Sequence, residues 1–487
     1  MTTTLRVVAG HLPGLTAGDV AWQTLSFGAG VTHLEVEVPA LDAAQMTVLA
    51  GRVRAAGRRH LQPMPLAQIV AVIDRAIARL LDPADPYRQE ADRLLPRITG
   101  DDPEMVRLGL TSFLQTFRAP QLHRFVAEDF ADPAVLDAFR PRPRGGASRA
   151  FGPELLVHSW AGNVPALSLW SLVCGLLVKA PSIGKLASAE PVFAGLFARL
   201  LAEVHPPLAD CLAIVWWKGG DTEVTDALYA QADTVLAYGG SATMAQIRDR
   251  LPATTRFLPF GHKLSFGLIG REALDARRAP ATARLAALDV ARYDQQGCYS
   301  PQVFYVERGA KVSPSEFAQR LAGELASLQH RFPRRPLSLA AATGVAAWRD
   351  AGELRALAGA DSVLLGEADD AWCVVYDEAA QAPLPTALHR SIRVVGVDAL
   401  DRVVDDLEAL RPVLQTVGLA AAPETLYRLA DRLGRAGVTR IAALGAMTTP
   451  EAGWHHDGRF NLLDLVRMVD IEASAERAAD ALAPYAE

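Results

Sequence analysis

Two doubly wound α/β lobes are the fold this sequence predicts, and three observations predict it. Short, nearly continuous apolar runs recur between residues 154 and 240, with helix-length segments between them. A second set of the same texture begins past residue 260. The connector Arg140-Pro-Arg-Pro-Arg-Gly-Gly-Ala-Ser148 separates both sets from a front section. Strand–helix alternation of this kind builds a parallel sheet with helices on both faces, and strands covered on both faces read as unbroken apolar runs. With two such lobes, the active site is expected in the cleft between them.

In chain order, HLEVEVP (33–39) alternates as a half-exposed strand does, and helical periodicity follows from about 43 to 82 and from 103 to 139. After the connector, ELLVHSW (154–160), SIGKLAS (182–188), CLAIVWW (211–217) and TVLAYGG (234–240) read as strands. Helices are expected near 165–178, 190–204 and 221–231. The second set comprises KLSFGLIG (263–270), a helix near 273–291, VFYVE (303–307) and a helix near 314–329. Strands are then expected at 361–366, 372–377, 391–397, 414–420 and 440–445, with a helix at 424–436 stopped by Gly437. The tail SAERAADALAPYAE reads as a short helix.

Composition excludes several function classes. The 487 residues carry a formal charge of −6, half are apolar and 21% are charged, without charge blocks, so a nucleic-acid surface has no support. Four cysteines (174, 211, 298, 373) lack Cys-x-x-Cys spacing, which argues against a disulfide scaffold and a Cys-rich zinc site. The stretch Leu155–Val178 has no charged residue and is long enough to cross a bilayer. It is interrupted by Trp160-Ala-Gly-Asn-Val-Pro165, so strand, turn and helix fit it better than a membrane span. The N-terminus shows no basic segment followed by an apolar one, and a soluble, cytoplasmic protein is expected. There are only five lysines (179, 185, 218, 263, 311), which makes each worth a question.

Chemistry concentrates in a few segments. In Asp294-Gln-Gln-Gly-Cys298-Tyr-Ser-Pro-Gln302 a cysteine sits in a polar, Gly-containing loop between an expected helix and an expected strand. A lone cysteine is ordinarily a small buried residue, and Cys174, Cys211 and Cys373 lie in apolar patterns that read so. The polar neighbours of Cys298, and Gly297 allowing close backbone approach, set it apart as a candidate nucleophile. Asn163, in the turn after the first strand of the parallel sheet, is a candidate oxyanion donor, although turn chemistry alone could account for it. No Gly-x-Gly-x-x-Gly is present. Gly239-Gly240-Ser241 instead follows a strand and opens a helix, where a phosphate meets free N–H groups. Lys185 and Ser188 on the second strand are placed to meet a ribose or its phosphate. His455-His456-Asp457-Gly458 resembles a metal or acid–base cluster, but adjacent histidines on an extended segment point to opposite sides, so a structural loop is favoured and no metal is expected.

The segments HSWAGNVPALSLWSLVCGLLVKAPSIGKLAS (158–188), ADTVLAYGGSATM (232–244), FGHKLSF (260–266), YDQQGCYSPQ (293–302) and HHDGRFNLLDLVRMVDIE (455–472), with DPYRQEADRLLPRITGDDPEMVRLGL (85–110), resemble the LuxC-type fatty acyl-CoA reductases of the aldehyde dehydrogenase superfamily. The resemblance spans about residues 75 to 472. It implies an aldehyde dehydrogenase-like fold: 1–262 as an N-terminal segment plus cofactor-binding Rossmann-like domain, 263–447 as the catalytic domain, and 448–487 returning to the cofactor domain or an oligomer interface. It further implies Cys298 as the acyl-accepting nucleophile, with the Asn163 side chain and the Cys298 N–H as oxyanion hole. Lys185 falls on the adenosine ribose, and Gly240 and Ser241 open the helix facing the pyrophosphate. Ser188 stands where many NAD-using relatives carry a glutamate, which favours NADPH, with NADH as the alternative.

Two departures from the superfamily carry weight. Its Glu-Leu-Gly-Gly-Lys segment corresponds to Pro259-Phe260-Gly261-His262-Lys263 here, so the glutamate that activates water is a proline. Its Glu-x-Phe-Gly-Pro nicotinamide anchor is not visible, and LHRSIRVV (388–395) occupies that region. The expected reaction is therefore NADPH-dependent reduction of a fatty acyl-CoA to the aldehyde through an S-acyl cysteine, CoA leaving, with His262 as a candidate acid or base. Rivals are oxidation of an aldehyde to acid or acyl-CoA, acyl transfer or thioester hydrolysis without hydride movement, and a catalytically silent binding subunit. A homo-oligomer (dimer or tetramer) and an acyl-activating partner enzyme are the expected partners.

Overall fold

In the computed structural model, which describes residues 3–28, 32–358, 361–378 and 385–483, the apolar runs become parallel strands. The described residues divide into two compact units, one drawn from 1–98, 110–260 and 451–487, the other from 99–109 and 261–450.

The first unit opens with a three-stranded sheet of β1 (Thr3–Val8), β2 (Ala21–Phe27) and β3 (Thr32–Ala40). The helical periodicity that follows is two helices, Ala43–Ala56 and Leu66–Leu81, broken by a wider turn at Gly57–Leu61, where a Cβ on Gly57 would strike Pro181. The connector forms β4 (Arg140–Pro141) and β5 (Ala147–Phe151). Then come β6 (Leu156–Ser159), β7 (Ser182–Lys185), β8 (Leu212–Val215), β9 (Thr234–Tyr238) and β10 (Arg256–Phe260), all parallel, in the order β10-β9-β6-β7-β8. The direction of winding reverses between β6 and β9, and in sheets of this type ligands bind beyond the carboxyl ends of the strands at that point. Leu155–Val178 is accordingly β6, a turn and the helix Ser168–Leu177. No helix among the described residues is long and apolar enough to cross a membrane.

The second unit holds β11 (Leu264–Ile269), β12 (Pro301–Glu307), β13 (Ser362–Leu365), β14 (Cys373–Asp377), β15 (Ser391–Val397), β16 (Leu414–Ala420) and β17 (Arg440–Ala443). Their order is β13-β14-β15-β12-β11-β16-β17, and only β13 runs antiparallel. Successive residues of β12 alternate between two cores. Phe304 and Val306 join helices Ala279–Ala291 and Pro314–Arg331, while Val303 and Tyr305 face Leu429 and Leu433 of helix Pro423–Ala436. That last helix ends at Gly437 in the left-handed conformation, φ 105°. The chain then closes with β18 (Arg467–Ile471), which pairs antiparallel with β5 in the first unit, and the short helix Ala473–Asp480. Residues 484–487 of the expected tail helix lie outside the described residues.

Candidate active site

Cys298 lies in the loop entering β12 and is half-buried, whereas Cys174, Cys211 and Cys373 are buried. Burial holds those three as thiols: it pushes Cys211 up to about 12 and Cys373 up to about 11, and Cys174 higher still. None of the three is available as a thiolate near neutral pH. Gly297 is required beside Cys298, because a Cβ there would lie 2.3 Å from the Tyr299 ring.

The loop is pinned from the amino edge of the seven-stranded sheet. Ser265 Oγ on β11 donates to the Cys298 carbonyl oxygen (2.8 Å) and accepts from the Thr416 N–H on β16 (3.1 Å). Gln415, almost fully buried at the start of β16, donates through Nε2 to the Cys298 sulfur (3.3 Å). Upstream, Tyr293, Asp294 and Gln295 form three successive left-handed residues, φ 50°, 47° and 63°. Asp294 pairs with Arg390, and Gln295 Nε2 donates to the carbonyls of Pro301 (2.9 Å) and Ser391 (3.1 Å). Gln415, Ser265 and Arg390 were missed in the sequence. The one signal was a polar Gln-Thr pair opening an otherwise apolar strand.

In the first unit, the expected cofactor residues all gather at the carboxyl edge of the five-stranded sheet. Lys185 is the last residue of β7, half-buried, with Nζ 5.1 Å from the centre of the Trp217 ring, and burial lowers its pKa. Exposed Ser188 accepts a hydrogen bond from Trp216 Nε1 at 3.1 Å. The nearby carboxylate, Glu190, is buried and accepts from the Val192 and Phe193 N–H groups, capping the next helix. Gly240 is the N-cap of helix Ser241–Arg250, with no side chain capping it, and Gly240 and Ser241 are exposed. Its first-turn N–H groups therefore point outward from the carboxyl edge, as an anion site requires. Asn163 is exposed in the turn after β6, beside the winding reversal. These residues fit a dinucleotide: an uncapped helix N-terminus after β9 for phosphate, a cation at the end of β7, two strands along, and no carboxylate at position 188.

Pro259 lies in β10, the edge strand, where a missing N–H is tolerated, and it offers no acid or base. His262 is exposed, past the end of β10. His456 is buried and stacks on Phe260 (4.6 Å between ring centres, 24° between planes) and on Tyr238 (5.9 Å, 25°), while His455 packs edge-on against Phe460. The two rings diverge, and among the described residues no group of three His, Cys, Asp or Glu side chains is assembled for a metal. A cavity of about 20 Å³ beside His456, lined by Trp170, Cys174, Tyr238 and Phe260, has room for about one water.

Two α/β sheets, one leading into an uncapped helix N-terminus and the other holding a pinned cysteine, define a protein of the aldehyde dehydrogenase fold. Solved structures agree. Aldehyde dehydrogenase 21 from Physcomitrella patens superposes with a TM-score of 0.74 at 14% identity, covering 97% of this chain and 99% of that one. The P. syringae indole-3-acetaldehyde dehydrogenase in complex with NAD+ gives 0.69 at 14%, covering 95% and 96%. Within that class, the chain belongs to the acyl-CoA reductase (LuxC) family, whose profile matches residues 61–468. Relatives include the long-chain acyl-protein thioester reductases of Vibrio harveyi, 27% identical over 66% of this chain, and of Aliivibrio fischeri, 28% over 72%. The matched stretch covers 65% of the Vibrio harveyi protein and 70% of the Aliivibrio fischeri one.

Proposed function

We propose that this chain reduces a fatty acyl thioester to the fatty aldehyde through an S-acyl Cys298, with NADPH as reductant and CoA as the leaving group. The observation that carries this reading is the setting of Cys298: the one half-buried cysteine of four, with its sulfur taking an N–H donor and its carbonyl fixed by Ser265.

The Cys298 thiolate attacks the thioester carbonyl. A new carbon–sulfur bond forms, the bond to CoA breaks, and the departing thiolate takes up one proton from solvent. Dividing the reduction into capture and release lowers each barrier. The side chain of Asn163 and the Cys298 N–H are proposed to hold the oxyanion in both halves. A reduced nicotinamide dinucleotide, when bound, supplies a hydride to the thioester carbon. Gly240 and Ser241 would hold its pyrophosphate, and Lys185 and Ser188 its adenosine ribose. A 2′-phosphate meets no negative charge at Ser188, which favours NADPH over NADH. Cys298 is then the leaving group: its bond to carbon breaks, the electron pair returns to sulfur, and the aldehyde is released. The proton count closes with the one taken by CoA, so no dedicated acid is needed and His262 carries no assigned part. Proline in place of the water-activating glutamate supports reduction over oxidation to acid, since the thioester has no base beside it there.

A second reading concerns the acyl donor. The relatives' names specify acyl-protein thioesters, which supports delivery by an acyl-activating partner enzyme in place of free acyl-CoA. Purified protein with NADPH or NADH and acyl-CoA of graded chain length, with aldehyde trapped and nicotinamide absorbance followed, tests the proposal. Aldehyde formation abolished by Cys298→Ala is expected. Aldehyde made only from an acylated protein would assign the donor to the partner, and near wild-type turnover by Cys298→Ala would overturn the mechanism.

A further inference from the structure

The amide of Gln415 reaches the reacting sulfur because of an irregularity in the sheet. Between Leu264 and Phe266 of β11 there is one residue, Ser265, and opposite it β16 presents two, Gln415 and Thr416. On its other side β11 is also out of step with β12, between Ser265 and Gly267. Bulges of this kind bend a strand locally and re-aim a side chain. Here the irregularity sends three bonds to one place. Thr416 N–H donates to Ser265 Oγ, Ser265 Oγ–H donates to the Cys298 carbonyl, and Gln415 Nε2 donates to the Cys298 sulfur. The Thr416 hydroxyl lies 3.5 Å from Gln415 Oε1, the oxygen end of the amide, consistent with the nitrogen facing sulfur.

We propose that Gln415 is a catalytic residue that stabilises the Cys298 sulfur as the thiolate, both when it attacks the acyl donor and when it leaves the reduced carbon. This rests on Cys298 being the nucleophile. An ionised sulfur accepts an N–H bond far better than a neutral thiol does, and a thioester sulfur, its lone pair shared with the carbonyl, is also a weak acceptor. The bond is therefore strongest in the free thiolate, the state at the start of capture and at the end of release. The donor sits on the second unit's own sheet, independent of the oxyanion donors. A better-stabilised thiolate is also a weaker nucleophile, so the gain is largest when the thiol titrates near the working pH.

The pH dependence of Cys298 alkylation by iodoacetamide, with the site confirmed by peptide mass, tests this on the full-length protein. In Gln415→Met, which keeps the volume and removes the donor, the midpoint should rise by about one pH unit, with labelling below the midpoint slowed about threefold and the plateau at high pH raised about threefold, because the less stabilised thiolate is the better nucleophile. Gln415→Glu, which adds negative charge, should raise it further. Thermal unfolding and circular dichroism identify a variant that fails to fold, and the other substitution then decides. A Gln415→Met or Gln415→Glu profile that superimposes on wild type overturns the proposal. Mapping of acyl groups from acyl-CoA is run alongside. Acylation at a residue other than Cys298 overturns the catalytic reading of Cys298, while the alkylation profiles still decide whether Gln415 stabilises its thiolate.

Discussion

Asp294 and Arg390 form an ion pair, Oδ1 to Nε at 2.7 Å, with both side chains about 95% or more buried, and it joins two stretches of left-handed backbone. Residues 293–295 are one; Leu388, His389 and Arg390, at φ 58°, 53° and 65°, are the other. Left-handed conformations cost about 1–3 kcal/mol at each non-glycine residue, so they persist only where the surroundings over-determine them. They do so here. Asp294 also accepts from the Arg335 N–H (3.0 Å), its carbonyl accepts from the His389 N–H (3.1 Å), and Arg390 reaches Gln329 (2.9 Å). Thus Leu388-His389-Arg390, in the region where the superfamily's nicotinamide anchor is missing, braces the loop that presents Cys298.

Removing one partner leaves the other charge buried and unpaired. Asp294→Asn or Arg390→Met alone should each destabilise the protein by about 3–5 kcal/mol, and the double variant by less than the sum. Chemical unfolding of the four proteins in parallel measures this. Additive losses would show that the pair does not act as a unit.

Asn163 is exposed in its turn, so Asn163→Ala should change the unfolding free energy by no more than about 0.5 kcal/mol. If its side chain holds the oxyanion, kcat for aldehyde formation should fall about 10²–10³-fold, the usual cost of one such donor. Steady-state kinetics beside a melting curve separate the two effects, and an unchanged kcat would remove Asn163 from the mechanism.

Apart from β10, an edge strand opening with Arg256 and carrying Pro259, the strands of both sheets were legible because parallel strands covered on both faces are mostly apolar. CLAIVWW and SIRVV can be little else, and β15 and β16 begin and end where the sequence places them. Other features left no local trace. β18 pairs with β5 across more than 300 residues of chain, and neither has an apolar face to announce it. Helix Leu339–Leu357 buries only Arg349 and Gly352 and so carries no apolar stripe. For the site, Cys298 stood out by contrast with three cysteines in apolar runs. Gln415 could be found only once a sheet irregularity put it opposite Ser265, and Arg390 only once its partner across about 95 residues was known.

Ser188 and Lys185 are each held by a tryptophan at the end of β8, Trp216 through its indole N–H and Trp217 through its ring face. Because Ser188 Oγ accepts from Trp216, its own hydrogen is left to point at an acceptor such as a phosphate oxygen. Trp216→Phe keeps the ring and removes that constraint. Its Kd for NADPH should rise about 2- to 10-fold, the worth of one hydrogen bond, with a smaller change for NADH. Calorimetric titration of both cofactors measures this. Equal changes for the two would show that Trp216 does not act through the 2′-phosphate.

Asp289, on helix Ala279–Ala291, is fully buried and accepts from the N–H groups of Gly445 and Met447, and burial raises its carboxyl to about 7. An unfolded aspartate titrates near 3.9, so between about pH 4 and 7 the folded state binds more protons than the unfolded state. Stability from this group is therefore greatest below pH 4 and is lost as pH rises, by at most about 1.4 kcal/mol per pH unit. Other titrating groups cancel when wild type is compared with Asp289→Asn. That substitution cannot ionise and offers one acceptor oxygen, as the protonated acid does. The stability of wild type relative to Asp289→Asn should fall from pH 5 to about pH 7 and level off above it in denaturant melts. A difference that instead grows in favour of wild type as pH rises would mean that the ionised carboxylate, with its backbone donors, is the form the fold prefers.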